Sequence, residues 1–125
     1  MATTLRYNFV GSAEENGVLT VGFADDQSEP QEYLMFQNWL DASEVGEDDE
    51  IYIERDGQQH GTYGGIERLV LSRDQALMWL SPETAKAINT EQEVTIIFSA
   101  TDKQFQQLKA DLEHVFAGTQ SLELR

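Results

Sequence analysis

The chain has 125 residues, close to the commonest length of a single domain, and can bury roughly two-thirds of its unfolded surface without metal or disulfide staples. A hydrophobic fraction of 40%, with two Trp, four Tyr and six Phe, argues against disorder, and the lack of cysteine removes disulfides, thiolate nucleophiles and cysteine-based metal centres. The formal net charge of −15 opposes phosphate backbones and so argues against nucleic-acid binding.

The first half reads as strands. Leu5, Tyr7 and Phe9 alternate with Arg6 and Asn8, the period of a half-buried strand. Gly11 to Gly17 reads as a polar turn, Val18 to Ala24 as a second strand, and Glu32 to Leu40 as a third, together making a three-stranded meander. The stretch DASEVGEDDE at 41–50 concentrates like charges around Gly46, the pattern of a solvated loop. Alternation returns at Ile51 to Asp56, with Ile51 and Ile53 on one face and Tyr52 and Glu54 on the other. Asp56-Gly57 signals a turn, and Gly61, Gly64 and Gly65 bracket a segment expected to bend or bulge.

Ile66 to Ser72 and Ala76 to Leu80 have hairpin spacing, with Leu69 and Leu71 expected to meet Leu77 and Trp79. Ser81-Pro82-Glu83 opens a short helix that Asn89-Thr90 ends. Glu93 to Ser99 is a buried strand. Thr101 and Gln104 have capping-box spacing before a last helix whose apolar stripe is Phe105, Leu108, Leu112, Val115 and Phe116. Gly118 is placed to stop it. Both tryptophans, Trp39 and Trp79, are expected in the core. The expected architecture is one α+β domain spanning residues 1–125. It is a mostly antiparallel sheet of about seven or eight strands with a short helix, and the C-terminal amphipathic helix packs on one face.

Catalytic machinery is not legible. His60 sits in a glycine-rich turn, and His114 near a helix C-terminus has a structural role with the helix dipole. The string DGQQHGTYGG lacks the phosphate-cradle pattern, and the acidic loop lacks the ligand spacing of a calcium hand. Neither a cofactor nor a dedicated metal site is expected, and no enzymatic activity. A small hydrolase using carboxylates such as Glu50, Glu54 or Glu67 is the weakest alternative, since nothing selects a pair. No apolar run approaches the ~18–20 residues that span a bilayer. The N-terminal stretch MATTLRYNFVGSAEENG has no basic start and no apolar core of signal-peptide length. The expectation is a soluble, cytoplasmic protein with no membrane partner.

From Glu50 to Phe116 the sequence resembles the immunity protein 10 family of bacterial polymorphic toxin systems. The features that carry the likeness are Tyr52-x-Glu54, Tyr63-Gly64-Gly65-Ile66, the leucine-rich hairpin, the Leu80-to-Ile88 helix region, the EVTIIF strand and the Phe105-x-x-Leu108 helix. It covers about the last 70 residues, while residues 1–45 match only in being acidic and strand-like. The resemblance implies an α+β fold, no catalysis, and an antidote role beside a cognate toxin.

Charge fits that implication. Residues 1–60 carry 14 acidic against 2 basic side chains, and residues 61–125 carry 9 against 6. Complementary charge speeds association, and a toxin with a basic active-site surface would be attracted to an acidic antidote. Solubility alone is the plainer account of the same charge, and an acidic binding or regulatory module unrelated to toxins is the alternative function. The residues expected to touch the partner are Glu47, Asp48, Asp49 and Glu50 in the acidic loop, Glu54 beside it, and the aromatics Tyr52 and Tyr63. Aromatic anchors inside a charged rim are the usual carriers of interface energy. The plainer readings are a solvated loop and ordinary sheet packing.

Overall fold

A computed structural model of the protein describes residues 2–40 and 51–125. Among the described residues there are ten strands, arranged in two five-stranded sheets rather than one sheet of seven or eight. In chain order the elements are β1 (Ala2–Tyr7), β2 (Phe9–Glu15), β3 (Val18–Ala24), β4 (Tyr33–Trp39), β5 (Tyr52–Arg55) and β6 (Gly61–Tyr63). Then come β7 (Ile66–Leu71), β8 (Gln75–Leu80), α1 (Pro82–Ala87), β9 (Glu93–Phe98), α2 (Asp102–Val115) and β10 (Leu122–Leu124). One sheet runs β1-β9-β8-β7-β10 and the other β2-β3-β4-β5-β6.

The extra strands arise where alternation gives no signal. The run read as one strand through Leu5, Tyr7 and Phe9 breaks at Asn8: β1 pairs parallel to β9 in one sheet, and β2 pairs with β3 in the other. Such a corner lets one strand sequence serve two packed sheets. The meander is therefore β2-β3-β4, and Gly11 to Glu15 is strand, not turn. Its exposed edge position frees those residues from apolar alternation. Asn16 at φ 54° and Gly17 at φ 80° make the two-residue hairpin turn, whose positive φ values match the strand twist. At the other end, β10 lies parallel to β7, pairing Leu122 with Leu69.

The β7–β8 hairpin forms, but its pairing differs by one position from expectation. Leu69 faces Met78 and Leu71 faces Ala76, while Leu77 and Trp79 lie across from Val70 and Arg68 on the opposite face. A one-residue change of register exchanges the faces of every side chain. Trp79 is consequently half-buried beneath the Arg68 guanidinium, 5.1 Å from its ring centre, and Trp39 is exposed. Neither tryptophan is in the core.

The inner faces of the two sheets meet in one apolar cluster. Phe23 of β3 lies 6.2 Å from Tyr7 of β1 and 5.3 Å from Phe98 of β9, ring centre to ring centre. Helix α2 packs on the inner side of the β2–β6 sheet. All five residues of its stripe are buried, and Phe116 meets Phe36 edge-on at 5.7 Å. The capping box is present, with Gln104 N–H donating to Thr101 Oγ1 and Thr101 N–H donating to Gln104 Oε1. Ser81 caps α1 by accepting from Thr84 N–H. On the inner face of β5, Arg55 donates through Nη1 to the carbonyls of Ile88 and Asn89, where α1 ends. Among the described residues, no helix is long and apolar enough to cross a membrane.

A tyrosine–carboxylate cluster on an open sheet face as the candidate functional site

Because strand side chains alternate, the register of the β2–β6 sheet assigns an outer face that the core does not use. On it Tyr52 pairs with Gln37 and Tyr63, and Glu54 pairs with Met35 and Gly61. Glu54 is the site's buried charge, only 5% exposed. Its two carboxylate oxygens each accept a phenol: Tyr52 donates to Oε1 at 2.6 Å, and Tyr33 donates to Oε2. Charge-assisted O–H···O⁻ bonds of this kind offset the desolvation of a buried carboxylate.

Gly61 makes the cluster possible. It stands across from Glu54, and a Cβ there would overlap the Tyr52 hydroxyl, which leans along its own strand toward Glu54. Tyr63 then packs at a tilt of 55° against Tyr52, with ring centres 5.0 Å apart, while remaining 68% exposed. Burial first, and then the hydrogen bond to Glu54, push the Tyr33 phenol up to about 12. The same two causes in the same order raise Tyr52 above the usual tyrosine range. Both phenols are therefore neutral donors across the physiological range.

Beyond Tyr33 the outer face falls into a hollow of about 290 Å³. Gly11, Ala13, Gly22 and Ala24 give it a low floor, with Phe9, Met35 and Tyr33 around it. The loop between β3 and β4 forms one wall, contributing Asp26 and Pro30. Asp25 holds that loop by accepting from the N–H groups of Gln31 and Glu32 at 3.0 and 3.2 Å. Gly22 is required by packing, since a Cβ would sit 2.5 Å from the Leu34 carbonyl oxygen.

Of the expected partner-contacting residues, Tyr52, Glu54 and Tyr63 come together on this face. Glu47, Asp48, Asp49 and Glu50 lie outside the described residues. Tyr33 and the hollow had no sequence signal, because they depend on the β4–β5 register and on small residues brought together from separate strands. His114 bridges from Nε2 to the Trp39 carbonyl at 3.3 Å, tying the last turn of α2 to the end of β4. No group of three or more His, Asp or Glu placed to hold a metal ion occurs among the described residues. Both oxygens of Glu54 are thus already engaged as acceptors of phenol hydrogen bonds.

The distinctive Tyr63-Gly64-Gly65-Ile66 string divides between site and scaffold. Tyr63 belongs to the cluster. Gly64 and Gly65, at φ 77° and 80°, turn the chain from one sheet to the other against the start of α1.

A family model described as Immunity protein 10 matches residues 4–106. The match therefore takes in the N-terminal strands that the sequence resemblance left aside, and all of the tyrosine–carboxylate cluster. No curated protein matches the chain.

Proposed function

The chain belongs to the immunity protein 10 family, and from that membership we propose that it binds and neutralises a cognate bacterial toxin in the cytoplasm, without catalysis, through the outer face of the β2–β6 sheet. The observation that carries the choice of face is Glu54. A buried carboxylate locked by two phenols, with the exposed Tyr63 ring packed at a tilt against one of them, is a preorganised aromatic patch. Preorganisation lowers the ordering cost of association, and tyrosine supplies contact area at low entropic cost.

Charge supports the same reading. Asp26 lines the hollow and the first 60 residues carry most of the negative charge, so the expected partner surface is basic with apolar anchors. Arg55, one of only two basic residues in that half, is turned inward to the end of α1. The six carboxylates of residues 41–50 add to that negative charge, which sets association rate more than affinity.

Co-expression with the neighbouring reading frame tests the proposal. Growth should be rescued, the two proteins should co-purify, and Tyr63→Ala should weaken binding at least tenfold while the variant stays folded. Absence of rescue and of co-purification, with a housekeeping protein recovered from lysate instead, favours the reading as an acidic binding module.

A further inference from the structure

Among the described residues, strand β2 is the last strand of its sheet, and a hollow lies on each side of it. The outer one is the hollow beside Phe9 and Ala13 already described. The inner one, of about 240 Å³, opens between Val10 and Ser12 of β2 and Gln104, Gln107 and Leu108 of α2. Natural sheets protect such edges with proline, charged side chains or bulges. β2 has no proline and no bulge, its register with β3 is unbroken, and its two charges, Glu14 and Glu15, stand at its end beside the turn, leaving Phe9 to Ala13 uncharged. Gly11 to Glu15 are exposed.

The two-residue turn makes Glu15 and Val18 the first hydrogen-bonded pair, so Val10, Ser12 and Glu14 direct their N–H and C=O groups away from β3. Among the described residues, these groups take part in no turn or side-chain hydrogen bond. An unpaired backbone edge with room for alternate side chains on both faces is the geometry of strand addition, where backbone bonds give affinity and the hollows give specificity.

We infer that β2 is a template on which an extended segment of the toxin adds as a sixth strand, placing alternate side chains in the outer and inner hollows. This rests on the toxin-binding reading and names the backbone that would carry it. Charge selects the occupant. No lysine or arginine lines either hollow, while Asp26 is in one wall and Glu14 and Glu15 end the strand, so the segment is apolar at alternate positions and carries Lys or Arg. A second copy of this chain, itself at −15, brings the opposite of what that edge attracts.

Hydrogen exchange on the complex with the protein encoded by the neighbouring reading frame tests the inference. The amides of Val10, Ser12 and Glu14 should slow at least tenfold on binding. Ser12→Pro removes an outward donor while leaving the bonds to β3. Gly11→Leu fills the outer hollow from a position where a Cβ meets nothing within 4 Å. Each should raise Kd at least tenfold with an unchanged melting temperature, and should Ser12→Pro fail to fold, Gly11→Leu and the exchange data still decide. Tight wild-type binding with no slowing at these amides, or with Gly11→Leu binding as the wild type does, overturns strand addition alone. Complete failure of the wild type to bind overturns the immunity reading as well. A concentration-dependent dimer that Gly11→Leu abolishes makes the occupant a second copy and overturns the inference too.

Discussion

A Cβ on Gly65 would overlap the Oγ1 of Thr84, the same hydroxyl that donates to the Gly64 carbonyl at 2.9 Å. The two glycines and the first turn of α1 are thus one packed joint, through which the chain passes from the β2–β6 sheet to the other. Ser81 N–H donates to the Gly65 carbonyl at 2.8 Å and closes it. Gly65→Ala should destabilise the fold by roughly 2–5 kcal/mol, combining about 1–2 for a left-handed backbone with about 1–3 for overpacking. A urea midpoint well below the wild type checks this. A loss under about 0.5 kcal/mol would mean that α1 moves aside freely.

Tyr52→Phe leaves Glu54 Oε1 without its phenol at 2.6 Å. The expected cost is about 1–3 kcal/mol, the range for a buried polar group left unsatisfied. In a Glu54→Leu background the same change should cost less than about 0.5 kcal/mol, because no carboxylate remains to be orphaned. Chemical denaturation of the four proteins in that cycle measures the coupling, and equal costs in the two backgrounds would rule it out.

Alkaline stability follows from the raised phenols. In the unfolded chain tyrosine titrates near 10, whereas Tyr33 in the folded protein titrates at about 12 and Tyr52 is also raised. Below pH 10 both states hold these protons, so their contribution is constant. As pH rises from 10 through 12 the unfolded state ionises first, and the contribution is lost. Urea midpoints taken from pH 8 to 11.5 should fall above pH 10, and more gently in the Tyr33→Phe and Tyr52→Phe variants. Parallel profiles for wild type and variants would contradict the assignment.

Association with the toxin should depend on salt. The charge of −15 gives a field that accelerates encounter with a basic surface by about 10–1,000-fold, and that field is screened within about 10 Å at 0.1 M salt. Stopped-flow rates should drop at least tenfold between low and high ionic strength, with the dissociation rate much less affected. An association rate independent of salt would assign the charge to solubility alone.

The helix signals were fully local and were therefore legible. Ser81-Pro82, Thr101 with Gln104, and the stripe from Phe105 to Phe116 act within one or two turns of their own chain, and each is found where the spacing places it. Alternation likewise separated Ile53, which is buried, from Tyr52 and Glu54 on the other face. The same rule failed for β2, since an exposed edge strand has no buried face to mark, and for the short β10, whose three residues are paired only by β7. Trp39 and Trp79 were misplaced because hydrophobicity says that a ring gains from burial, not which face of a strand the register assigns to it.

By itself the sequence determined the acidity, the lack of thiol chemistry, the capped helices, the glycine turn and the family. All of these are set by residue identity or by spacings of a few positions. Only the tertiary structure decided that the strands divide into two sheets at Asn8, and that Tyr33 of β4 reaches the carboxylate that Tyr52 of β5 also holds. It likewise decided that β2 ends its sheet between two hollows. The physical reason is that strand pairing and register are contacts between segments distant in the chain. Their free energy depends on which faces meet in the core, and no local pattern records that choice.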